Sequence, residues 1–378
     1  MESAKRGPGI TLTGRDGEKR ATTLKDVAEH VGLSPATVSL VLNRAPAADS
    51  IPLETHERVL AAAKELDYRP NFVARSLRSR RTFSIGVLVP EISEGYATAV
   101  MSGVEDHLLD HGYFPLMASH RFRDDLIAEN LVLLRERLVE GFILVNTLLR
   151  EPPGLPTVTI SSHERFPGVT NVVIDHDRAA TLALSHLAEL GHERIAVLRG
   201  HPLTGDSSDR WRAISQAADA LGLDIPAELT LQFGDASLEE ESSPEVHLRE
   251  GYQYGERLLA SPAEFTAFFA FNDIAAIGAM KAFADAGLRV PEDVSVVGFD
   301  DIESAGFHNP SLTTVRQPMH EMGEIASRIL LERLGGKMPE SDVITVEPDL
   351  VVRESTGPAP GANAMRLPLR ADGAASAD

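Results

Sequence analysis

The chain has 378 residues, no cysteine and a formal net charge of −20. That length holds two or three core-bearing units. The lack of cysteine excludes disulfides, thiolate catalysis and zinc sites built on Cys, and it fits a reducing compartment. No apolar run approaches the roughly 18–20 residues that cross a bilayer. The opening MESAKRGPGITLTGRDGEKR is basic but has no apolar stretch, so it does not read as a secretory signal and a cytoplasmic location is expected.

Residues 1–21 are polar and aperiodic and read as a disordered arm. A helix follows. Thr23 stands three residues before Asp26, a helix-start pattern, and Leu24, Val27, Ala28 and Val31 share one face. Gly32 is placed to end that helix, and Ser34-Pro35 to start the next, with Ser as cap and Pro in the first turn. Val38, Val41 and Leu42 give the second helix its buried face. Two helices joined by a short turn containing Gly make a helix-turn-helix. A third helix is predicted from about Pro52 to Leu66, which places an all-α head over residues 22–69.

Residues 70–82 form a basic linker. Five arginines and no acid lie between Arg69 and Arg81, and Asn71 can cap a short helix after Pro70. Residues 1–82 carry 14 Lys+Arg against 10 Asp+Glu; the remainder carries 22 against 46. A basic head is thus joined to an acidic body that repels polyanions, which leaves the head as the surface for nucleic acid.

From Phe83 the pattern changes. Short apolar runs at 85–90, 114–119, 141–146, 156–161, 171–176, 194–200, 268–272 and 294–300 alternate with helical stretches such as 177–190 and 273–287. Such runs indicate parallel sheets covered on both faces, and residues 83–356 exceed one small sheet. Two α/β lobes are therefore predicted, with a ligand cleft at the carboxyl ends of the strands. The acidic stretch 238–250 reads as a surface loop, and residues 357–378 as a disordered tail.

Seven segments, in order, carry a resemblance: TLKDVAEHVGLSPATVSLVLN, ELDYRPNFVARSLRSR, SIGVLVP, LGHERIAVLRG, FAFNDIAAIGAM, SVVGFDD and LTTVRQP. From about residue 22 to 356 the chain resembles the lactose-repressor (LacI/GalR) family of bacterial transcription regulators. The resemblance implies a small all-α helix-turn-helix head and an α/β two-lobed, periplasmic-binding-protein-like effector domain with parallel sheets. It further implies a homodimer on a pseudo-palindromic double-stranded DNA operator, controlled by a small effector, most often a carbohydrate.

Carried over by residue, the resemblance puts Pro35, Ala36, Ser39 and Leu40 of the recognition helix toward DNA. Ser34 and Thr37 stand near phosphates, and Thr23, Leu24 and Asn43 flank them. In the linker it assigns Asn71, Ala74, Arg75, Leu77 and Arg78, with Leu77 as a wedge into a minor-groove base step. Leu40 departs from the arginine many relatives carry; it can touch a thymine methyl but cannot bond guanine.

In the body the resemblance assigns Arg210, Asn272 and Asp300 to the effector, with Tyr96, Asn146 and Ser161 from the first lobe. Two roles stand open for Asn272, ligand or helix cap, and two for Asp300, ligand or turn former. Asp273 and Asp301 read as structural. Stacking positions of relatives fall near Ala236 and Met319, with Phe233 as a substitute. No catalytic motif is present, and no cofactor or metal is expected. His186 and His192 lack metal-ligand spacing and read as a surface and a helix-end histidine.

Overall fold

The computed structural model describes residues 22–42, 46–68, 81–92, 95–234 and 244–361. The linker calls Asn71, Ala74, Arg75, Leu77 and Arg78 lie outside the described residues, as do Asn43, Ala236, the arm 1–21 and the tail from 362. The contacts divide the chain into two compact units, Met1–Thr82 and Phe83–Asp378.

In the first unit, α1 (Leu24–Val31), α2 (Pro35–Leu42) and α3 (Leu53–Glu65) enclose a small core. Val27, Ala28, Val31, Val38, Val41, Val59, Ala62 and Ala63 fill it. The local signals act as the residue types dictate. Thr23 Oγ1 accepts from the Asp26 amide while the Asp26 carboxylate accepts from the Thr23 amide, a reciprocal cap. Gly32 turns left-handed at φ 67°, and its amide reaches the carbonyls of Ala28 and Glu29. Ser34 Oγ accepts from the Thr37 amide at 3.1 Å and so starts α2.

The second unit carries two six-stranded sheets. The first lobe contains β1 (Ser84–Val89), α4 (Tyr96–Asp110), β2 (Phe114–Ser119), α5 (Asp124–Glu136), β3 (Gly141–Val145), β4 (Thr157–Ile160) and β5 (Val169–Ile174). The chain then passes through α6 (His176–Glu189) into the second lobe. There follow β6 (Ile195–Arg199), α7 (Ser207–Leu221), β7 (Thr230–Gln232), α8 (Pro244–Ala260), β8 (Ala267–Phe269), α9 (Asp273–Asp285), β9 (Ser295–Asp300), α10 (Glu303–Phe307) and β10 (Thr313–Arg316). α11 (Met319–Leu334) and β11 (Val343–Val346) return to the first lobe, and β12 (Asp349–Val351) closes the second.

The strand orders are β11-β5-β4-β3-β1-β2 and β12-β10-β9-β8-β6-β7. Every pairing is parallel except β10 with β12. Parallel strands need cover on both faces, and alternate residues supply it. On β1 and β3, Ile85, Val87, Val89, Ile143 and Val145 join one core, and Leu88, Phe142 and Leu144 join another beneath α5.

α11 returns to the first lobe by lying close against α4. A Cβ on Gly103 would overlap the His320 carbonyl oxygen, and one on Gly323 would overlap that of Val100. Backbone offers no rotamer to move aside. Gly103→Ala is therefore expected to destabilise the body by about 1–3 kcal/mol, read as a lower denaturant midpoint at unchanged slope.

Two expectations are corrected. The acidic stretch 238–250 is not a loop throughout, because α8 begins at Pro244; its inward face (Gly251, Tyr254, Leu258) lies past the acidic run that masked it. The tail is not disordered from 357. The Gly357 amide donates to Ser295 Oγ and the Ala359 amide to the Leu190 carbonyl, so residues 357–359 pack on the second lobe. His192 does stand at the helix end, its amide donating to the Leu187 carbonyl, but it is also buried, with Thr266 Oγ1 at 2.9 Å from Nδ1 and Ser295 Oγ at 2.9 Å from Nε2. His186 is half-buried, with Nε2 at 2.9 Å from Thr356 Oγ1.

Candidate DNA-reading and effector sites

On the head, Ser34, Pro35 and Ala36 are exposed and Thr37 and Leu40 half-buried, at and after the N-terminus of α2. The Ser34 and Thr37 hydroxyls lie 2.9 Å apart. Two hydroxyls at the N-terminus of a helix make a site suited to a phosphate. Thr23 and Leu24 are half-buried at the start of α1. Ser39 differs from its expected place: it is 9% exposed. At 100° per residue it sits beside the Val38–Val41–Leu42 arc, and packing covers it. Its side chain is therefore not on the open face.

In the body, strand ends build the cleft. Asn146 and Ser161 follow β3 and β4 directly, and Asp300 ends β9. All three are left-handed, at φ 44°, 55° and 111°. Non-glycine residues hold that conformation where surrounding structure imposes it, commonly at functional sites. Here it turns each chain out of its sheet at the carboxyl end. Tyr96, Asn146, Arg210, Asn272 and Asp300 line one cavity, which holds about 640 Å³ of space counted out to open solvent. Ser161 is set behind it, with its hydroxyl 2.6 Å from that of Tyr96.

The guanidinium of Arg210 is fixed on several sides. Nη2 donates to Asp206 Oδ2 at 2.6 Å and Nη1 to the Phe271 carbonyl at 2.8 Å. The Phe299 and Phe271 rings lie 3.8 and 4.6 Å from its central carbon. Asn272 does both jobs open to it: it lines the cavity, and its Oδ1 caps α9 through the Ala275 amide at 2.8 Å. Asp300 Oδ1 accepts from Gln317 Nε2 at 2.6 Å. Asn146 reaches across the lobes to accept from the Gly205 amide at 3.0 Å.

Burial raises the Asp300 carboxyl to about 7, against the opposing pull of Arg210 and the Gln317 hydrogen bond. Asp273, directly behind, is held well above the carboxylate range by burial and by Asp300. It accepts from Thr314 Oγ1 at 2.5 Å and the Ile302 amide at 2.9 Å, which is a structural role. Asp301 likewise pairs with Arg316 and Arg353. Burial also raises the Tyr96 phenol, so it stays a neutral hydrogen-bonding group.

Phe233 lines the cavity, whereas Met319 lies in the core. Sequence reasoning missed Phe122, His201, Asp206, Phe271 and Gln317, which also line it. Asp206 had a signal, standing four residues before Arg210 at a helix start. Phe122 had none: it reaches the cavity through a left-handed turn at Arg121 and Phe122 (φ 50° and 54°) and lies 4.6 Å from the His201 ring of the other lobe. Among the described residues, no group of three His, Cys, Asp or Glu side chains can hold a metal ion. No helix among them is long and apolar enough to cross a membrane.

Comparison with known proteins places this arrangement. The model of the lacI family of bacterial regulatory proteins matches residues 23–71, and that of the periplasmic binding protein-like domain matches residues 184–356. The HTH-type transcriptional repressor PurR of Haemophilus influenzae is 32% identical over 346 residues, 88% of this chain and 98% of that protein. The lac repressor dimer bound to operator and the anti-inducer ONPF superposes with a TM-score of 0.75 at 25% identity, covering 89% of this chain and all of that one. The CelR–cellobiose complex, a transcriptional regulator, gives 0.64 at 28% identity, over 88% and 99%. The chain belongs to the lacI family of bacterial regulatory proteins: it is a DNA-binding transcriptional repressor under the control of a small-molecule effector.

Proposed function

We propose that the protein acts in the cytoplasm as a homodimer on a pseudo-palindromic operator, and that a carbohydrate bound between the lobes sets its operator affinity. The observation that carries this reading is one cavity lined by polar side chains from both lobes, in the same chain as a helix-turn-helix head. A ligand bridging Asn146 and Tyr96 on one lobe and Arg210, Asn272 and Asp300 on the other favours one lobe arrangement. It can shift operator affinity by its difference in affinity for the two states and by no more. Hydroxyls suit this mixed set of donors and acceptors, and the CelR relative is solved with cellobiose.

The homodimer is supported by β2. It is the edge strand of the first sheet, yet Phe114 is 60% and Met117 43% exposed on it. Apolar sheet edges call for cover. On DNA, Ser34, Pro35, Ala36, Thr37 and Leu40 contact the major groove and its phosphates, with Thr23 and Leu24 beside them. Asn43, Asn71, Ala74, Arg75, Leu77 and Arg78 complete the contact.

The test is selection of operator fragments from random duplexes, followed by titration with sugars, nucleosides and sugar phosphates. A symmetric binding site whose affinity a sugar changes is the expected result. A sugar-insensitive operator complex, or response to a nucleoside alone, overturns the carbohydrate reading. Leu77→Ala is expected to weaken specific binding about 100-fold more than nonspecific binding, because prying a base step matters where the duplex is bent. Equal losses would show that Leu77 is no wedge.

A further inference from the structure

The cavity carries a surplus of acidic over basic side chains. Among the described residues lining it are the carboxylates of Glu91, Asp206 and Asp300, against one guanidinium, Arg210. That guanidinium is already engaged by Asp206 and by the Phe271 carbonyl. Asp206 Oδ1 and Gln317 Oε1 are buried without a hydrogen-bond partner, on side chains 1% and 3% exposed. Both atoms are acceptors. The corresponding leftover donor on Arg210 is Nε. Buried polar atoms are normally satisfied, and both side chains line the cavity, so its wall has acceptor capacity to spare. Phe122, Phe233 and Phe271 supply aromatic surface around them, and aromatic faces attract cations.

We propose that the cleft takes a ligand bearing a positively charged amino group alongside hydroxyls, an amino sugar in preference to its neutral, N-acylated or phosphorylated counterparts. The proposal rests on the carbohydrate reading above and narrows it. An ammonium brings three donors and no acceptor, and its bonds to carboxylates are charge-assisted. A phosphate would face three carboxylates with one arginine that is already paired. The groups facing Asp300 are Arg210, Asp206, Asp273, Gln317 and Tyr96. Burial holds its carboxyl at about 7, and a cation beside it draws off the proton. Binding near neutral pH therefore releases a proton to buffer.

The experiment is isothermal titration of the full chain with glucosamine, galactosamine and mannosamine. Each is set against its parent hexose, its N-acetyl derivative and its 6-phosphate, in two buffers of different ionisation enthalpy at pH 7. At least one amine is expected to bind about tenfold tighter than its three counterparts, a difference of about 1.4 kcal/mol, with release of a proton. Asp300→Asn, or Asp206→Asn should the first not fold, is expected to bring the amine level with its parent. A hexose, N-acetyl sugar or phosphate that binds as tightly as the amine overturns the proposal and leaves the carbohydrate reading standing. Binding by no member of the panel overturns both.

Discussion

Arg210→Ala is expected to give a protein that still binds operator, no longer responds to effector, and is less stable in the body by about 3–5 kcal/mol. The cost lies in what the arginine leaves behind. Asp206 is 1% exposed and pairs with Arg210 at 2.6 Å. Its other basic neighbour, His176 at 3.8 Å, is held neutral by burial and by Arg210 itself, and is too far for a direct hydrogen bond that would replace the lost pair. The Phe271 carbonyl loses its donor as well. Lysine does not repair the site, since an ammonium cannot meet Asp206, bond the carbonyl and lie flat between two rings at once. Arg210→Lys should recover part of the stability and little of the response. Denaturant titration and operator anisotropy with and without effector separate the two effects. A variant that keeps a full response would remove Arg210 from the binding machinery; one that loses operator binding along with its fold would make it purely structural.

The elements legible in the sequence are those whose burial is continuous or whose caps are explicit. β1, β3, β4 and β9 are buried at every position, and β1 and β3 in particular read as nearly continuous apolar runs. The head is marked by Thr23, Gly32 and Ser34, each acting through its own local hydrogen bonds. The strands that escaped notice are short or polar. β11 is half-exposed, β7 and β12 have three residues each, and β10 buries two threonines that carry no apolar signal.

The cleft divides the same way. Arg210, Asn272 and Asp300 were reached through the resemblance, because their motifs are contiguous. Phe122 enters from a turn whose direction is set by backbone dihedrals, which neighbouring residues do not encode, whereas Gln317 stands in the segment LTTVRQP and its role follows only from its contact with Asp300. The burial of His192 was not legible for a related reason: its partners Ser295 and Gly357 lie more than 100 residues away in sequence.

Asp300→Asn is expected to make the body more stable at pH 8 while lowering effector affinity on the order of 100-fold, the loss of a charge-assisted pair in a buried site. The sign follows from the titration. The folded carboxyl sits at about 7, and an unfolded aspartate at about 3.9. Below about pH 4 the group is protonated in both states and costs nothing. As pH rises toward 7, the unfolded chain releases the proton and the folded one keeps it. The folded state then binds more protons, so stability falls across that window and levels off above it. Asparagine does not titrate, so the advantage of the variant should grow from pH 4 to 7 and reach about 4 kcal/mol at pH 8. Asp273, raised partly by Asp300, should relax in the same direction. The substitution adds no backbone strain of its own, since asparagine tolerates positive φ, and its amide oxygen can still accept from Gln317. Denaturant midpoints from pH 4.5 to 8.5 provide the measurement, and parallel pH profiles for the two proteins would refute the assignment. A carboxylate held out of water, at φ 111° and beside a second left-handed aspartate at φ 58°, is costly to the free protein at neutral pH. A ligand that supplied further donors there would offset that cost, which is the differential affinity a cleft needs if it is to act on an operator-binding head.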